Sequence, residues 1–152
     1  MNVAISPAHM EDLSLILDLQ KECFKSEAIA NNDFNIPPLK QDLESIQTEY
    51  ERGTILKATI DSEIVGSVRG YLNNQVAYVG KLIVHPNFQS KGIGKNLMES
   101  IEKAFEEAVR IEIFTGEKSV NNIHMYTKIG YKAFKKEKIN ENLTVVFLEK
   151  TK

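Results

Sequence analysis

A single cysteine, Cys23, stands in a chain of 152 residues. No intrachain disulfide can form, and such a chain is expected in a reducing compartment, the cytoplasm. A basic excess is also missing: 19 Lys and Arg face 21 Asp and Glu, for a formal charge of -2. A protein that grips phosphate backbones carries a clear cationic surplus, so nucleic acid is not an expected partner. His9, His85 and His124 lie far apart with no close pair among them, and no metal site is expected from them. No run approaches the roughly 20 apolar residues that a membrane span requires. No basic segment followed by an apolar one opens the chain as a secretory signal. Internal repeats and low-complexity segments are missing as well. What remains is 42% hydrophobic and 26% charged, a balance that buries a core and stays soluble. The length suits one domain over residues 1–152 rather than two.

The periodicities give the order of elements. In "AHMEDLSLILDLQKECFKSEA" the residues Leu13, Ile16, Leu17, Gln20, Cys23 and Phe24 share a helical stripe. The polar turn "NNDFNIPP" ends it, and "LKQDLESIQTEY" repeats the pattern with Leu39, Leu43, Ile46 and Tyr50. From Gly53 the period changes. "TILKATI" and "EIVGSVRGYL" flank the short turn "DS" and predict an antiparallel hairpin, and "VAYVGKLIV" follows the turn at Asn73 and Asn74 as a third strand. Ile93, Leu97, Ile101, Phe105 and Ala108 then recur at steps of four, four, four and three, the strongest helical signal in the chain. "RIEIFT" predicts a strand, "SVNNIHMYTKIG" a shorter helix stopped by Gly130, and "YKAFKKEKI" and "LTVVFLEK" a closing hairpin around "NEN". The closing strand is apolar enough either to pack within the sheet or to pair across a dimer. The sum is an α/β fold, a mixed sheet packed by helices.

Between the third strand and the long helix lies "VHPNFQSKGIGKNLM", Val84 to Met98. Gly92 and Gly94 let backbone approach a ligand closely because no side chain intervenes. They stand where the helix begins, and a helix start leaves N–H groups without intrahelical partners at the positive end of its dipole. A pyrophosphate suits such a place. Lys91 and Lys95 would add local positive charge, and Gln89 and Ser90 hydrogen bonds. The pattern is not the dinucleotide fingerprint, because Asn96 and Leu97 stand where a third glycine is needed. Nor is it a P-loop, since no Ser or Thr follows the Gly-Lys pair. Glycine pairs also make plain tight turns, so the loop taken alone leaves both readings open.

"LIVHPNFQSKGIGKNLM" resembles the acyl-CoA-binding motif of the GNAT N-acetyltransferases, whose core is Gln or Arg, two residues, Gly, one residue, and Gly or Ala. Gln89, Gly92 and Gly94 match it, with Val84 and Pro86 at the strand end that precedes it. "TGEKSVNNIHMYTKIGY" resembles the same family's later helix through Ser119, Asn122, Tyr126, Lys128, Gly130 and Tyr131. The order of elements is similar to the family's over almost the whole chain. The resemblance therefore implies the GNAT-type acyl-CoA N-acyltransferase fold, a mixed, mostly antiparallel sheet flanked by helices.

It also implies a chemistry: acetyl transfer from acetyl-CoA to a small-molecule or peptide amine, with no metal, in a monomer or homodimer that uses neither nucleic acid nor membrane. Leu82, Ile83 and Val84 would pair with the pantetheine arm as an added strand does. The amides of Gln89, Ser90, Lys91, Gly92, Ile93, Gly94 and Lys95 would hold the pyrophosphate. A backbone N–H near Ile83 or Val84 would face the developing oxyanion. Tyr126, which otherwise reads as an aromatic on the core face of a short helix, becomes the proton donor to the leaving thiolate. Asn122, one turn earlier on the same face, would reach the cofactor arm, and Lys128 its phosphates or merely a helix end. The family's occasional glutamate before the loop has no counterpart in "NQVAYVGKLIV". The general base stays open among Glu22 or Glu27, a water relay, and an amine that loses its proton unaided. Expected acceptor contacts are Glu22, Phe34, Arg69 and Tyr78, with Ile36 and Tyr71 as further candidates; an inward Arg69 would favour an acidic acceptor. The alternative is a catalytically inactive acyl-CoA-binding sensor or interaction protein of the same fold.

Overall fold

The computed structural model describes residues 2–152. Seven strands form one sheet: β1 (Ala4–Pro7), β2 (Thr54–Ile60), β3 (Glu63–Asn73), β4 (Val76–Val84), β5 (Arg110–Gly116), β6 (Lys132–Asn140) and β7 (Leu143–Thr151). Five helices accompany them: α1 (Leu13–Asn31), α2 (Pro37–Lys40), α3 (Leu43–Arg52), α4 (Ile93–Ala104) and α5 (Val120–Lys128). The spatial order is β1-β2-β3-β4-β5-β7-β6. All neighbours are antiparallel except β4 and β5. The mixed, mostly antiparallel α/β architecture is therefore present.

Strand alternation sorts the core into two layers. Leu56 packs with the apolar stripe of α4, Ile93, Leu97, Met98 and Ile101. Its neighbour Ile55 packs with Leu13, Ile16 and Ile46 from α1 and α3. Adjacent strand residues point to opposite faces, so α4 covers one face and α1 with α3 the other. Val146 and Val145 divide in the same way: Val146 joins the α4 layer, and Val145 joins Ala28 and Ile36 beside α1.

Four local details differ from the sequence expectation. β1 lies within a segment that carries too few alternating residues to read as a strand; its four residues are held at the sheet edge by β2. α1 begins at Leu13 rather than Ala8, because Met10–Asp12 form a 3-10 turn closed by the His9 N–H donating to Asp12 Oδ2 at 2.8 Å. The second helical segment splits at Gln41, whose backbone is extended, and α3 restarts with Asp42 Oδ1 accepting the Ser45 N–H at 2.9 Å. α4 stops at Ala104, although Phe105 and Ala108 continue its buried stripe in the following turn. The apolar β7 sits inside the sheet, between β5 and β6.

One irregularity positions everything else. β4 and β5 pair only from Val76 with Arg110 to Val79 with Ile113. Beyond that point β4 stays on β3, while Phe114, Thr115 and Gly116 stay on β7. A bulge marks the parting: Lys81 has φ 51°, and the register with β3 shifts between Ser67 and Arg69. Bulges bend the strand that carries them. The sheet thus opens into a wedge that links its two faces.

Candidate active site

A cleft of about 640 Å³ fills the wedge. Its first wall is the free edge of β4. The His85 N–H donates to Val65 O on β3 at 2.7 Å. By alternation Ile83 also turns its backbone groups toward β3, while Leu82 and Val84 turn theirs into the gap. The Val84 carbonyl bears this out, accepting from the Cys23 thiol at 3.4 Å and from Gln89 Nε2 at 3.0 Å. Cys23 itself is held as a thiol, since burial and the nearby Glu22 push it up to about 11.

At one end of the cleft lies the start of α4. Pro86–Phe88 make a 3-10 turn, with the Asn87 N–H donating to His85 Nδ1 at 3.1 Å. The chain then passes through left-handed backbone at Ser90 (φ 62°) and Gly92 (φ 86°). Asn96 makes the first intrahelical bond, to Gly92 O at 3.0 Å. The N–H groups of Ile93, Gly94 and Lys95 therefore precede the first N–H that donates within the helix. Nothing lies within 4 Å of where a Cβ on Gly92 would sit; at Gly94 the nearest atoms are in the Met125, Leu82 and Val84 side chains, at 3.6 Å and beyond. The result is an open cradle of backbone donors with side-chain room around it.

The middle of the cleft is reached from both faces of the sheet. α5 supplies Asn122, Met125 and Tyr126, and α1 supplies Glu27. Tyr126 is only 2% exposed, and its ring packs 6.1 Å from that of Tyr131. Burial first and the charge of Glu27 second push its phenol well above its usual range, so it stays protonated. Glu27 is the cleft's carboxylate, and burial raises its pKa. Its Oε1 would be 2.6 Å from a Cβ placed on Gly116, so glycine at the end of β5 makes room for it.

The far end is polar beneath and apolar at the sides. Lys81 lines the cleft, as do Ile36 and Pro38 from the segment between α1 and α3, and Leu143 and Val145 from β7. Behind Lys81 lies a buried network. Arg69, 4% exposed, donates from Nη1 to Glu49 Oε1 at 2.8 Å and from Nη2 to Gln20 Oε1. Gln20, fully buried, donates to Pro38 O and Gln41 Oε1, both at 2.9 Å. Burial works against the Glu49 carboxylate, but hydrogen bonds from Gln41 and Arg69 and the charges of Arg69 and Lys81 outweigh it and hold its pKa low.

Of the residues singled out in the sequence, the cleft gathers Leu82, Ile83, Val84, Gln89, Ser90 and the stretch Gly92 to Lys95, together with Asn122 and Tyr126. It leaves others outside. Lys91 and Lys128 are exposed beyond its lining. Glu22 is exposed and pairs with Lys25 at 3.2 Å. Phe34 is 60% exposed on the loop after α1, whereas Ile36 takes the inward place. Tyr78 stacks on Tyr71 at 5.3 Å, where β4 still pairs with β5, before the wedge opens. Arg69 does face inward but is sealed behind Lys81, so it is not itself a cleft residue. Lys81, Gly116, Lys118 and Asn31 were not anticipated. For Lys81 a signal existed, a lysine interrupting the apolar run "VAYVGKLIV".

Comparison with known proteins gives a consistent setting. A family model described as "Acetyltransferase (GNAT) family" matches residues 13–131. The chain is similar to the UPF0157 protein YqkA of Bacillus subtilis (strain 168), 28% identical over 96 residues, which are 63% of this chain and 27% of that protein. It thus spans only about a quarter of that relative's length. Among solved structures it is similar to the PaiA N-acetyltransferase from Thermoplasma acidophilum in complex with coenzyme A, with a TM-score of 0.83 at 19% identity over the whole of both chains. A GNAT family acetyltransferase from Elizabethkingia anophelis with acetyl-CoA bound superposes with a TM-score of 0.72 at 21% identity over 99% of each chain. At such identities the likeness is one of fold.

Proposed function

The chain belongs to the acetyltransferase (GNAT) family, and we propose that it is an N-acetyltransferase that moves an acetyl group from acetyl-CoA to a primary amine by direct attack on the thioester. The observation that carries this reading is the wedge between β4 and β5, lined by an open helix start and by both Tyr126 and Glu27. The residues present fit the donor. The cradle at Gly92 to Lys95 offers N–H groups and the helix dipole to a pyrophosphate. The β4 edge at Leu82 and Val84, which no strand covers, offers its N–H groups as strand-like hydrogen-bond donors to an amide-bearing arm. When bound, acetyl-CoA supplies an activated acyl carbon and a thiol leaving group.

The chain's own groups do the rest. Glu27, its basicity raised by burial, takes a proton from the acceptor ammonium and leaves a neutral nucleophile. The Val84 or Leu82 N–H, turned into the gap, donates to the carbonyl oxygen as the new C–N bond forms. Tyr126 gives its hydroxyl proton to the sulfur as the C–S bond breaks, and regains one from the nitrogen of the new amide. Glu27 returns its proton to solvent, so one amide, one thiol and one proton leave the site. The two groups assist each other: burial keeps the Tyr126 pKa high throughout, but once Glu27 is protonated the smaller share added by its charge is gone, and the phenol becomes a stronger acid than before when its proton is needed.

Titration calorimetry with acetyl-CoA tests the donor site, with Gly94→Asp as the comparison. Position 94 has space for a side chain, and an acidic residue in the first turn favours the helix. Gly92→Asp would instead strain left-handed backbone. We expect micromolar binding by the wild type and a loss of about a hundredfold for Gly94→Asp from placing an anion where a phosphate should sit. Equal affinity in both proteins would remove the pyrophosphate from the loop. Thiol release on adding amines separates an enzyme from an inactive acyl-CoA sensor.

A further inference from the structure

The acceptor end of the cleft carries a charge pattern that acetyl transfer alone does not require. Two cations, Arg69 and Lys81, converge on a single carboxylate, Glu49, and the cluster is left with one net positive charge. The two are held unequally. Arg69 takes the short contact, 2.8 Å, and lies sealed away from the cleft. Lys81 makes three long ones, 3.2 and 3.4 Å to Glu49 and 3.3 Å to Gln41 Oε1. A strong ammonium–carboxylate bond is nearer 2.8 Å. Lys81 is also the network member that reaches the cleft, because the left-handed bulge at its own backbone takes it out of the β4 ladder. Of the cluster's two cations, Lys81 is therefore the one that lines the cleft.

Glu27 lines the same cleft beside Gly116, with no ion-pair partner among the described residues. The remaining cleft lysines do not quench it: Lys118 donates to Ala30 O at 3.1 Å, and Lys95 lies 3.9 Å from Glu99. One free negative group and one excess positive charge, carried by residues that line the same cleft, make a site for a molecule with the opposite pair of charges. Ile36, Pro38, Leu143 and Val145 line the same cleft and suit an apolar side chain.

Resting on the acetyl-transfer reading, we propose that the acceptor is a small amino acid with an apolar side chain, its ammonium at Glu27 and its carboxylate at Lys81. A single excess charge matches a monoanion such as a carboxylate. A polyamine would set a second cation against Lys81, and a peptide N-terminus would bring a neutral amide there; neither would complete the cluster.

The test uses the full chain and matched pairs that differ only in the carboxylate: L-leucine against L-leucinamide, and L-phenylalanine against L-phenylalaninamide, followed by thiol release from acetyl-CoA. The amide's amine is the weaker base and loses its proton more readily, so an advantage for the free acid cannot arise from the amine. We expect kcat/KM for the acids to exceed that for the amides by about tenfold or more, the scale of one charge-assisted hydrogen bond. Lys81→Met should bring the ratio near one, and Lys81→Arg should retain most of it. Amides that match or surpass the acids in the wild type would overturn the proposal without reference to any variant, as would a ratio unchanged in Lys81→Met. If the protein binds acetyl-CoA and turns over none of the four, the acceptor class is wrong and the donor site stands. If acetyl-CoA does not bind, both readings fall.

Discussion

Tyr126 and Glu27 show how little of a site's chemistry belongs to one residue. In sequence, Tyr126 is an aromatic on a helical face and Glu27 one of several acids near the end of a long helix. In the proposed reaction each would take its role from the other and from burial: two groups that lose protons reluctantly share one cleft, and the one with the lower intrinsic pKa would act first. Tyr126→Phe should fold normally, since it deletes one hydroxyl from a well-packed ring, and should lower kcat by about a hundredfold or more. Unchanged kcat in a steady-state assay would return Tyr126 to the core. Glu27→Gln makes a different prediction because its effect depends on pH. The active form is the carboxylate, so wild-type kcat/KM should rise with pH through a pKa above the ordinary glutamate value. The variant should lose that limb and regain rate only as the acceptor amine deprotonates by itself. A pH–rate profile in which both proteins share the same acidic limb would exclude Glu27 as the base.

α3 contributes to the site without touching it. Its Glu49 holds Arg69 and Lys81 in place, and its Ile46 anchors the helix in the core. Because the fold lowers the Glu49 pKa, Glu49 adds stability that is present above its unfolded value near 4.3 and is lost as pH falls through the folded value. Glu49→Gln should destabilise the protein at neutral pH by about 2–3 kcal/mol, below the usual cost of breaking a fully buried pair because Glu49 is partly exposed. It should also flatten the loss of stability in acid. Urea unfolding at pH 7 and in mild acid measures both; identical acid dependence in the two proteins would mean that the network titrates elsewhere. The same network marks a limit of sequence reading. Arg69 is conspicuous on an otherwise apolar strand, but its partners Gln20, Gln41 and Glu49 lie 49, 28 and 20 residues away. Gln20 falls on the apolar stripe of its helix, but nothing local distinguishes Gln41 and Glu49 from a surface glutamine and a surface glutamate. The glycine loop was legible for the opposite reason: its backbone conformations and the helix start are consecutive in the chain, so all of their causes lie within one short stretch.

For the whole molecule, the elements that fill their own layer could be read directly, as with β4 from Val76 to Val84 and the α4 stripe. What the pattern could not supply was the parting of β4 and β5, since pairing beyond Val79 depends on where a bulge falls within β4 itself. The sheet's outer edges raise a separate question. β6 is exposed along its whole length and would invite edge-to-edge pairing. It is dense in charge, with Lys132, Lys135, Lys136 and Lys138 among its nine residues, and Lys136 pairs with Glu117 at 2.8 Å. The opposite edge, β1, is only four residues long and ends at Pro7. Lysines and short edge strands both disfavour pairing between copies. The chain should therefore sediment as a single species of 17.2 kDa at micromolar concentration. Replacing Lys135, Lys136 and Lys138 together with threonine keeps strand propensity and removes the repulsion. That variant should associate in a concentration-dependent way while the wild type does not. A wild type that sediments at twice the monomer mass would show that charge on β6 does not keep copies apart. A variant that stays monomeric would assign the protection to some feature of the edge other than its lysines.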